Sequence, residues 1–113
     1  VTSRIFHNPK CSTSRKTLDL LRENGIDPEI VLYLKTPPTR GELVEMISAA
    51  GIDVRAAVRK RESLYTELGL ADATDGQLLD ALAQHPILIE RPFVVTDKGT
   101  RLARPIDAVR EIL

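Results

Sequence analysis

The 113 residues divide their charge evenly, 16 Lys plus Arg against 16 Asp plus Glu, and 42% are hydrophobic, the profile of one ordinary domain that can bury a core. A net charge of zero removes the global field that would gather nucleic acid or an anionic membrane, so any basic function has to be local. The single cysteine excludes an internal disulfide, and no apolar run reaches the ~18 residues of a membrane span or the layout of a signal peptide.

The first informative stretch is Arg4-Ile-Phe-His7-Asn-Pro-Lys-Cys11-Ser-Thr-Ser-Arg15-Lys-Thr. It reads as a short apolar strand, a loop with Pro9, the cysteine, and the first turn of a helix. Ser12, Thr13 and Ser14 are the residue types that cap helix N-termini, Leu18 and Leu21 begin an apolar face, and Asn24-Gly25 is a stop signal. Cys11 is therefore expected where a helix begins, beside N–H groups without intrahelical partners and at the positive end of the macrodipole. Such a place favours a thiolate. Free cysteine titrates near ~8.5, whereas helix starts flanked by cations lower that value to roughly 3.5 to 7.5. Lys10, Arg15, Lys16 and His7 are the candidate cations. The same N–H groups can cradle an oxyanion, so one loop can hold both a nucleophile and an anionic substrate. A lone cysteine is by default a buried structural residue, but a core position would not be flanked by Lys10 and Ser12.

Residues 28–34, Pro-Glu-Ile-Val-Leu-Tyr-Leu, are a β-branched and aromatic run bounded by prolines and are expected to form a strand. Strand, helix and strand make a βαβ unit with parallel strands and a right-handed crossover. Thr39 and Glu42 match a capping box, Leu43, Ile47 and Ala50 follow at helical spacing, and Gly51 ends that helix. A short helix over 53–58, another over 63–68 closing on Gly69, and a second capping box from Thr74 to Gln77 make residues 39–85 largely helical. That last helix carries Leu78 and Leu82 on one face and ends near His85-Pro86. Ile87-Leu-Ile89 is too short for periodicity to classify. Residues 91–96 read as a strand, 100–103 as its partner and 97–99 as the turn between them. Ile106, Val109 and Leu113 are expected on one face of a closing helix.

The order βαβ, helices, β-hairpin, helix outlines an α/β thioredoxin-like fold. Its four-stranded mixed sheet would belong to a single domain, residues 1–113, with a helical insertion between the βαβ unit and the C-terminal hairpin and helix. In that fold a proline before the third strand sits opposite the reactive cysteine. Pro92 is similar to that proline, which makes Arg91-Pro92 a candidate cis bond against a ~5% prior.

Several segments together cover nearly the whole chain: His7-Asn-Pro-Lys-Cys11-Ser-Thr-Ser-Arg15, Tyr33-Leu34 with Thr36-Pro37-Pro38, Arg59-Lys60, Leu68-Gly-Leu70, His85-Pro-Ile-Leu-Ile-Glu-Arg91-Pro92, and Gly99-Thr-Arg-Leu-Ala-Arg104-Pro105. With them the chain resembles the glutaredoxin-coupled arsenate reductases. The resemblance implies a cysteine that attacks arsenate, three arginines that hold the oxyanion, and electrons from glutathione and glutaredoxin. Carried over residue by residue, the cysteine is Cys11 and the arginines are Arg59, Arg91 and Arg104, while His7 matches the histidine near the nucleophile. Many members of that family continue past the position of Leu113, and the sequence opens on Val1 rather than Met, as a trimmed N-terminus would.

Read without the family, several guanidinium forks suit an oxyanion with the charge of phosphate, through charge-assisted pairs. Arg91 and Arg104 each precede a proline, which biases them to extended backbone at the ends of the hairpin strands. Arg59 belongs to a basic run with Arg55, Lys60 and Arg61. Taken singly, each arginine reads as a solvated residue worth ~0 to 1 kcal/mol in an exposed ion pair, so their joint assignment rests on the resemblance. His7 is open between bonding the thiolate, orienting the loop and ending a strand as a satisfied polar residue. Arg15 could approach the anion, with an ion pair to Asp19 four residues on as the simpler option. His7, Ser14 and Arg15 are thus supporting residues, and His85 is read as structural.

The histidines and cysteine lack zinc spacing, so no metal and no bound cofactor are expected, with glutathione as co-substrate. The expected home is a reducing cytoplasm and the expected state a monomer, with arsenate, glutathione and glutaredoxin as partners and neither nucleic acid nor membrane. A phosphatase-type loop fails on spacing, because the position six after Cys11 is Thr17. A self-contained dithiol oxidoreductase fails because Ser14 stands where the second cysteine would be. Two rivals stay open: a glutathione-dependent thiol oxidoreductase of the same fold, and a redox-sensing regulator that binds RNA polymerase.

Overall fold

The computed structural model describes residues 2–113 and gathers them into two compact units. The first holds the chain up to Thr36 together with Arg91–Leu113, and the second is Pro37–Glu90.

In the first unit β1 (Arg4–Phe6), α1 (Ser12–Glu23) and β2 (Glu29–Val31) are followed by β3 (Phe93–Thr96), β4 (Gly99–Leu102) and a 3-10 helix, Ile106–Ile112. The strands form one mixed sheet in the order β2-β1-β3-β4. β1 runs parallel to β2 with Ile5 opposite Ile30, and antiparallel to β3 with Ile5 opposite Val94. This is the sheet of a thioredoxin-like fold. Leu18 and Leu21 from α1 meet Ile5, Val94, Val109 and Ile112 in one buried cluster, each such aliphatic side chain contributing about 1.5–3 kcal/mol relative to exposure.

β3 begins at Phe93 and not at residue 91, and three further boundaries differ from expectation, each for a local reason. β2 stops at Val31 instead of running to residue 34. It is an edge strand, its last ladder bond is from the His7 N–H to the Val31 carbonyl at 2.8 Å, and Lys35 and Thr36 then fold back to donate to the Leu32 carbonyl, both at 2.9 Å. The hairpin turn is Asp97-Lys98 alone, and Gly99 already belongs to β4. Its φ of +146° and the 3.3 Å from an added Cβ to Ile112 Cγ2 both call for glycine there. The closing helix is 3-10, so a period of three aligns Ile106, Val109 and Ile112. Ile112, 1% exposed, takes the inner place expected for Leu113.

The second unit is the expected helical insertion: α2 (Arg40–Ala50), α3 (Ser63–Glu67) and α4 (Asp75–Gln84), joined by 3-10 turns at Val54–Ala57, Leu70–Asp72 and Pro86–Leu88. Both capping boxes form, Thr39 with Glu42 and Thr74 with Gln77, and Gly51 closes α2 in the left-handed conformation. Each such cap is worth about 1 kcal/mol. α2 packs on α4, which lets Leu43, Met46 and Ile47 be buried on one helix and Leu78, Leu79 and Leu82 on the other. The segment 87–89 resolves as the end of a 3-10 turn followed by an antiparallel bridge between Val58 and Ile89. Among the described residues no helix is long and apolar enough to cross a membrane.

Candidate active site

β1 delivers the chain to a loop that ends on Cys11, and Cys11 itself is the N-cap of α1, with extended backbone at φ −94° and ψ 121°. The hydroxyl residues after it do not cap the helix, contrary to the sequence expectation. The first-turn donors are thereby left for Sγ. The loop is tied down by Asn8, whose carbonyl accepts from the Cys11 N–H and whose Oδ1 accepts from the Lys10 N–H, both at 3.0 Å.

Burial alone would push the Cys11 thiol up. The backbone N–H of Ser14, the Arg91 guanidinium and the backbone N–H of Thr13 together outweigh it and hold the thiol below its ordinary value. The cations that act are thus not those adjacent in sequence. His7 in particular is not one of them: burial, and then the positive charges of Arg22 and Arg15, lower its pKa and keep the imidazole neutral. Its Nδ1 lies 2.6 Å from the Oγ of fully buried Ser14, which also accepts from the Asn8 N–H at 3.1 Å. A neutral imidazole accepting the Ser14 hydroxyl proton at Nδ1 fits both bonds. His7 and Ser14 therefore hold the loop in shape. Arg15 does the same, since its Nη1 donates to the Pro9 carbonyl at 2.7 Å and not to Asp19.

Two of the three arginines meet the thiol. Phe93 pairs with Leu102 in the hairpin and the Ala103 N–H donates to the Pro92 carbonyl at 2.9 Å, so the residues flanking the strands, Arg91 and Arg104, share one end of it. Arg91-Pro92 and Arg104-Pro105 are both cis. Arg104 reaches Cys11 Sγ with Nη2 at 3.8 Å while its Nε donates to the Arg91 carbonyl at 2.8 Å. Arg91 donates from Nη1 to the Tyr33 hydroxyl at 3.2 Å, and its buried Nε has no partner. Tyr33 is fully buried and is a residue that spacing arguments passed over. Its signal was a phenol inside an apolar run, because a buried hydroxyl needs a partner. Asn8 was missed too, although Asn before proline is a turn former.

Arg59 lies in the second unit. It is 7% exposed, donates from Nε to Glu62 at 3.2 Å and from Nη1 to Glu90 at 3.1 Å, and its backbone N–H bonds the Leu88 carbonyl. Among the described residues no group of three or more His, Cys, Asp or Glu side chains could hold a metal ion.

The family model that matches the chain is that of the ArsC family, over residues 6–112. The chain belongs to the ArsC family. An arsenate reductase of Escherichia coli is 55% identical over 96% of this ArsC chain and 79% of its own length. One of Rhizobium meliloti (strain 1021) is 54% identical over 100% of this chain and 82% of its own. Among solved structures, the arsenate reductase of Vibrio cholerae superposes with a TM-score of 0.94 at 47% identity, covering 99% of this chain and 98% of that one.

Proposed function

We propose that this ArsC-family chain is an arsenate reductase in which Cys11 is the nucleophile, Arg91 and Arg104 bind the oxyanion, and glutathione and glutaredoxin supply the electrons. The observation that carries the reading is a thiol held below its ordinary pKa, 3.8 Å from Arg104 Nη2 and beside an Arg91 whose buried Nε lacks a partner. Among the described residues Arg91 enters no ion pair, so its guanidinium charge beside the thiol is suited to an arsenate oxygen. The arsenate reductases among the relatives support the choice of oxyanion.

The chemistry follows from the sulfur count. The Cys11 thiolate displaces hydroxide from arsenic, forming an Sγ–As(V) bond with no change of oxidation state, while Arg91 and Arg104 hold the charge on the remaining oxygens. Glutathione thiolate then attacks Sγ. The Sγ–As bond breaks, its electron pair leaves with arsenic, now As(III), and a Cys11–glutathione disulfide forms; two sulfurs are oxidised by one electron each and arsenic is reduced by two. Solvent protons complete arsenous acid, and glutaredoxin resolves the mixed disulfide. His7, Ser14 and Arg15 act by holding the loop. Arg59 is proposed as the third arginine on the strength of the resemblance, with part of its charge already engaged by Glu62 and Glu90.

Arsenate-dependent NADPH oxidation, coupled through glutathione reductase, tests this. Turnover is expected to require both glutathione and glutaredoxin, and intact mass spectrometry should find Cys11 glutathionylated when glutaredoxin is withheld. Equal turnover with thioredoxin alone, without glutathione, would remove the glutaredoxin-coupled reading.

A further inference from the structure

Along α1 lies a cavity of about 420 Å³, lined on the helix side by Ser12, Arg15, Lys16, Asp19 and Arg22 and on the loop side by His7. That volume is within the ~300–1,000 Å³ of small-molecule sites. The helix positions recur every three or four residues, so they share one face. They set three cations against one carboxylate in a chain whose net charge is zero. Among the described residues Lys16, Asp19 and Arg22 enter no ion pair, and the lining includes Ser12, the residue bonded to Cys11, though not Cys11 itself.

We propose that this groove seats an arm of the small thiol that attacks at Cys11, its cations taking a carboxylate and Asp19 an ammonium group. The proposal rests on the thiol-dependent reading of Cys11 above. Glutathione carries carboxylates at both ends and one ammonium, with the sulfur on the central residue, and the lining repeats that pattern in opposite sign. A purely anionic ligand, such as a nucleic-acid backbone, would offer Asp19 no partner. Reach agrees as well. Lys16 and Asp19 lie roughly 6 and 10 Å along the helix from Ser12, with side chains leaning back toward the N-terminus, and an extended arm of two residues spans about 7 Å. The thiol can therefore stand at Sγ while its charged end lies on this face.

The test uses thiol–disulfide exchange without arsenate, so its outcome is separate from that of the arsenate reading. The Cys11 thiolate attacks oxidised glutathione, forming the mixed disulfide and releasing one glutathione thiolate. Intact mass spectrometry gives that rate constant and the one for neutral 2-hydroxyethyl disulfide. Lys16→Glu is expected to lower the ratio of the two, glutathione over neutral, by five-fold or more, and Arg22→Glu, roughly 15 Å along the helix from Ser12, to lower it less. Lys98→Glu makes the same charge change as Lys16→Glu in the hairpin turn, beside the Arg4 end of β1 and so at the other end of the sheet from the Cys11 loop. It should leave the ratio within two-fold of the wild type, since charges well beyond a Debye length of ~8–10 Å are screened. Ratios unchanged in Lys16→Glu and Arg22→Glu, or lowered as much by Lys98→Glu, would overturn the proposal. So would variants that exchange normally but slow glutaredoxin's resolution of the preformed mixed disulfide, because the groove would then dock the resolving protein.

Discussion

Arg59 in the second unit and Arg91 in the first are both drawn out of solvent, yet the chain treats their charges differently. Glu62 and Glu90 close on Arg59 at 3.2 and 3.1 Å. Arg55 in the same unit spends its guanidinium on the Tyr65 hydroxyl and the carbonyls of Leu70 and Ala73. Arg91 is offered a phenol and a thiol, and its Nε is buried with nothing to bond. A buried cation neutralised by the chain's own carboxylates serves the fold. One brought to a nucleophile and left short of acceptors is prepared for an anion from outside.

The largest test removes the nucleophile. Cys11→Ser should lower arsenate turnover roughly 10³-fold or more, as loss of an essential nucleophile does, with little movement of the thermal midpoint because the residue is only half-buried. Retained turnover would show that the first unit's chemistry lies elsewhere. The two arginines come next. Arg91→Ala should lower kcat/KM for arsenate by 10-fold or more, about 1.5–3 kcal/mol for a charged contact, with the midpoint moved less than in Arg59→Ala, since loss of the Tyr33 hydrogen bond is offset by removal of a buried Nε that has no partner. Arg59→Ala should act the other way round, taking from Glu62 and Glu90 the cation buried beside them, while Arg61 stays 3.8 Å from Glu90, at a cost of about 1–3 kcal/mol and with the midpoint lowered by several degrees. Equal loss of turnover at unchanged midpoint in both would break the comparison and give Arg59 the full substrate role that the resemblance implies.

What the sequence made legible depended on how local each cause was. Capping boxes, the helix stop at Gly51 and the cysteine at a helix start all follow from neighbours within a few residues, and all are present. The end of β2 was not legible, because it is set by pairing on one side only. Neither was the 3-10 closing helix, whose period of three shifts one inner position from Leu113 to Ile112. At the site, sequence proximity suggested Lys10, Lys16 and His7 as the charges on the thiol, whereas the charge that acts arrives from Arg91, eighty positions away in the chain. The meeting of Arg91 and Arg104 was legible only in part, since the two flank the paired hairpin strands, Arg91 ahead of β3 and Arg104 after β4, while their joint role rested on the resemblance. The Tyr33 and Glu90 contacts were not, because they are decided by tertiary placement.

A finer test separates the contributions to the thiolate. Iodoacetamide alkylation of Cys11 followed against pH should show a midpoint below the ordinary cysteine value, because the Ser14 and Thr13 N–H groups and Arg91 favour the charged form. Arg91→Ala should move that midpoint up. Ser14→Ala should move it less, since alanine keeps the backbone N–H and loses only the hydroxyl that bonds His7. A wild-type midpoint at or above ~8.5 would sink the activated-thiol reading.

The smallest effect concerns His7 and pH. Burial, with Arg22 and Arg15, lowers its pKa in the folded chain, while the unfolded chain titrates near the ordinary ~6.5. Between those two values the unfolded state binds the extra proton, so the stability this neutral histidine contributes is complete above about 6.5 and is lost as pH falls toward the folded value. Its partner makes the loss local, because a protonated imidazole can no longer accept the Ser14 hydroxyl proton at Nδ1. Urea midpoints at pH 7 and pH 5 should therefore fall further for the wild type than for His7→Asn, which has no proton to gain there. Equal falls in the two proteins would mean that His7 is solvated in the folded state and does not hold the Cys11 loop through Ser14.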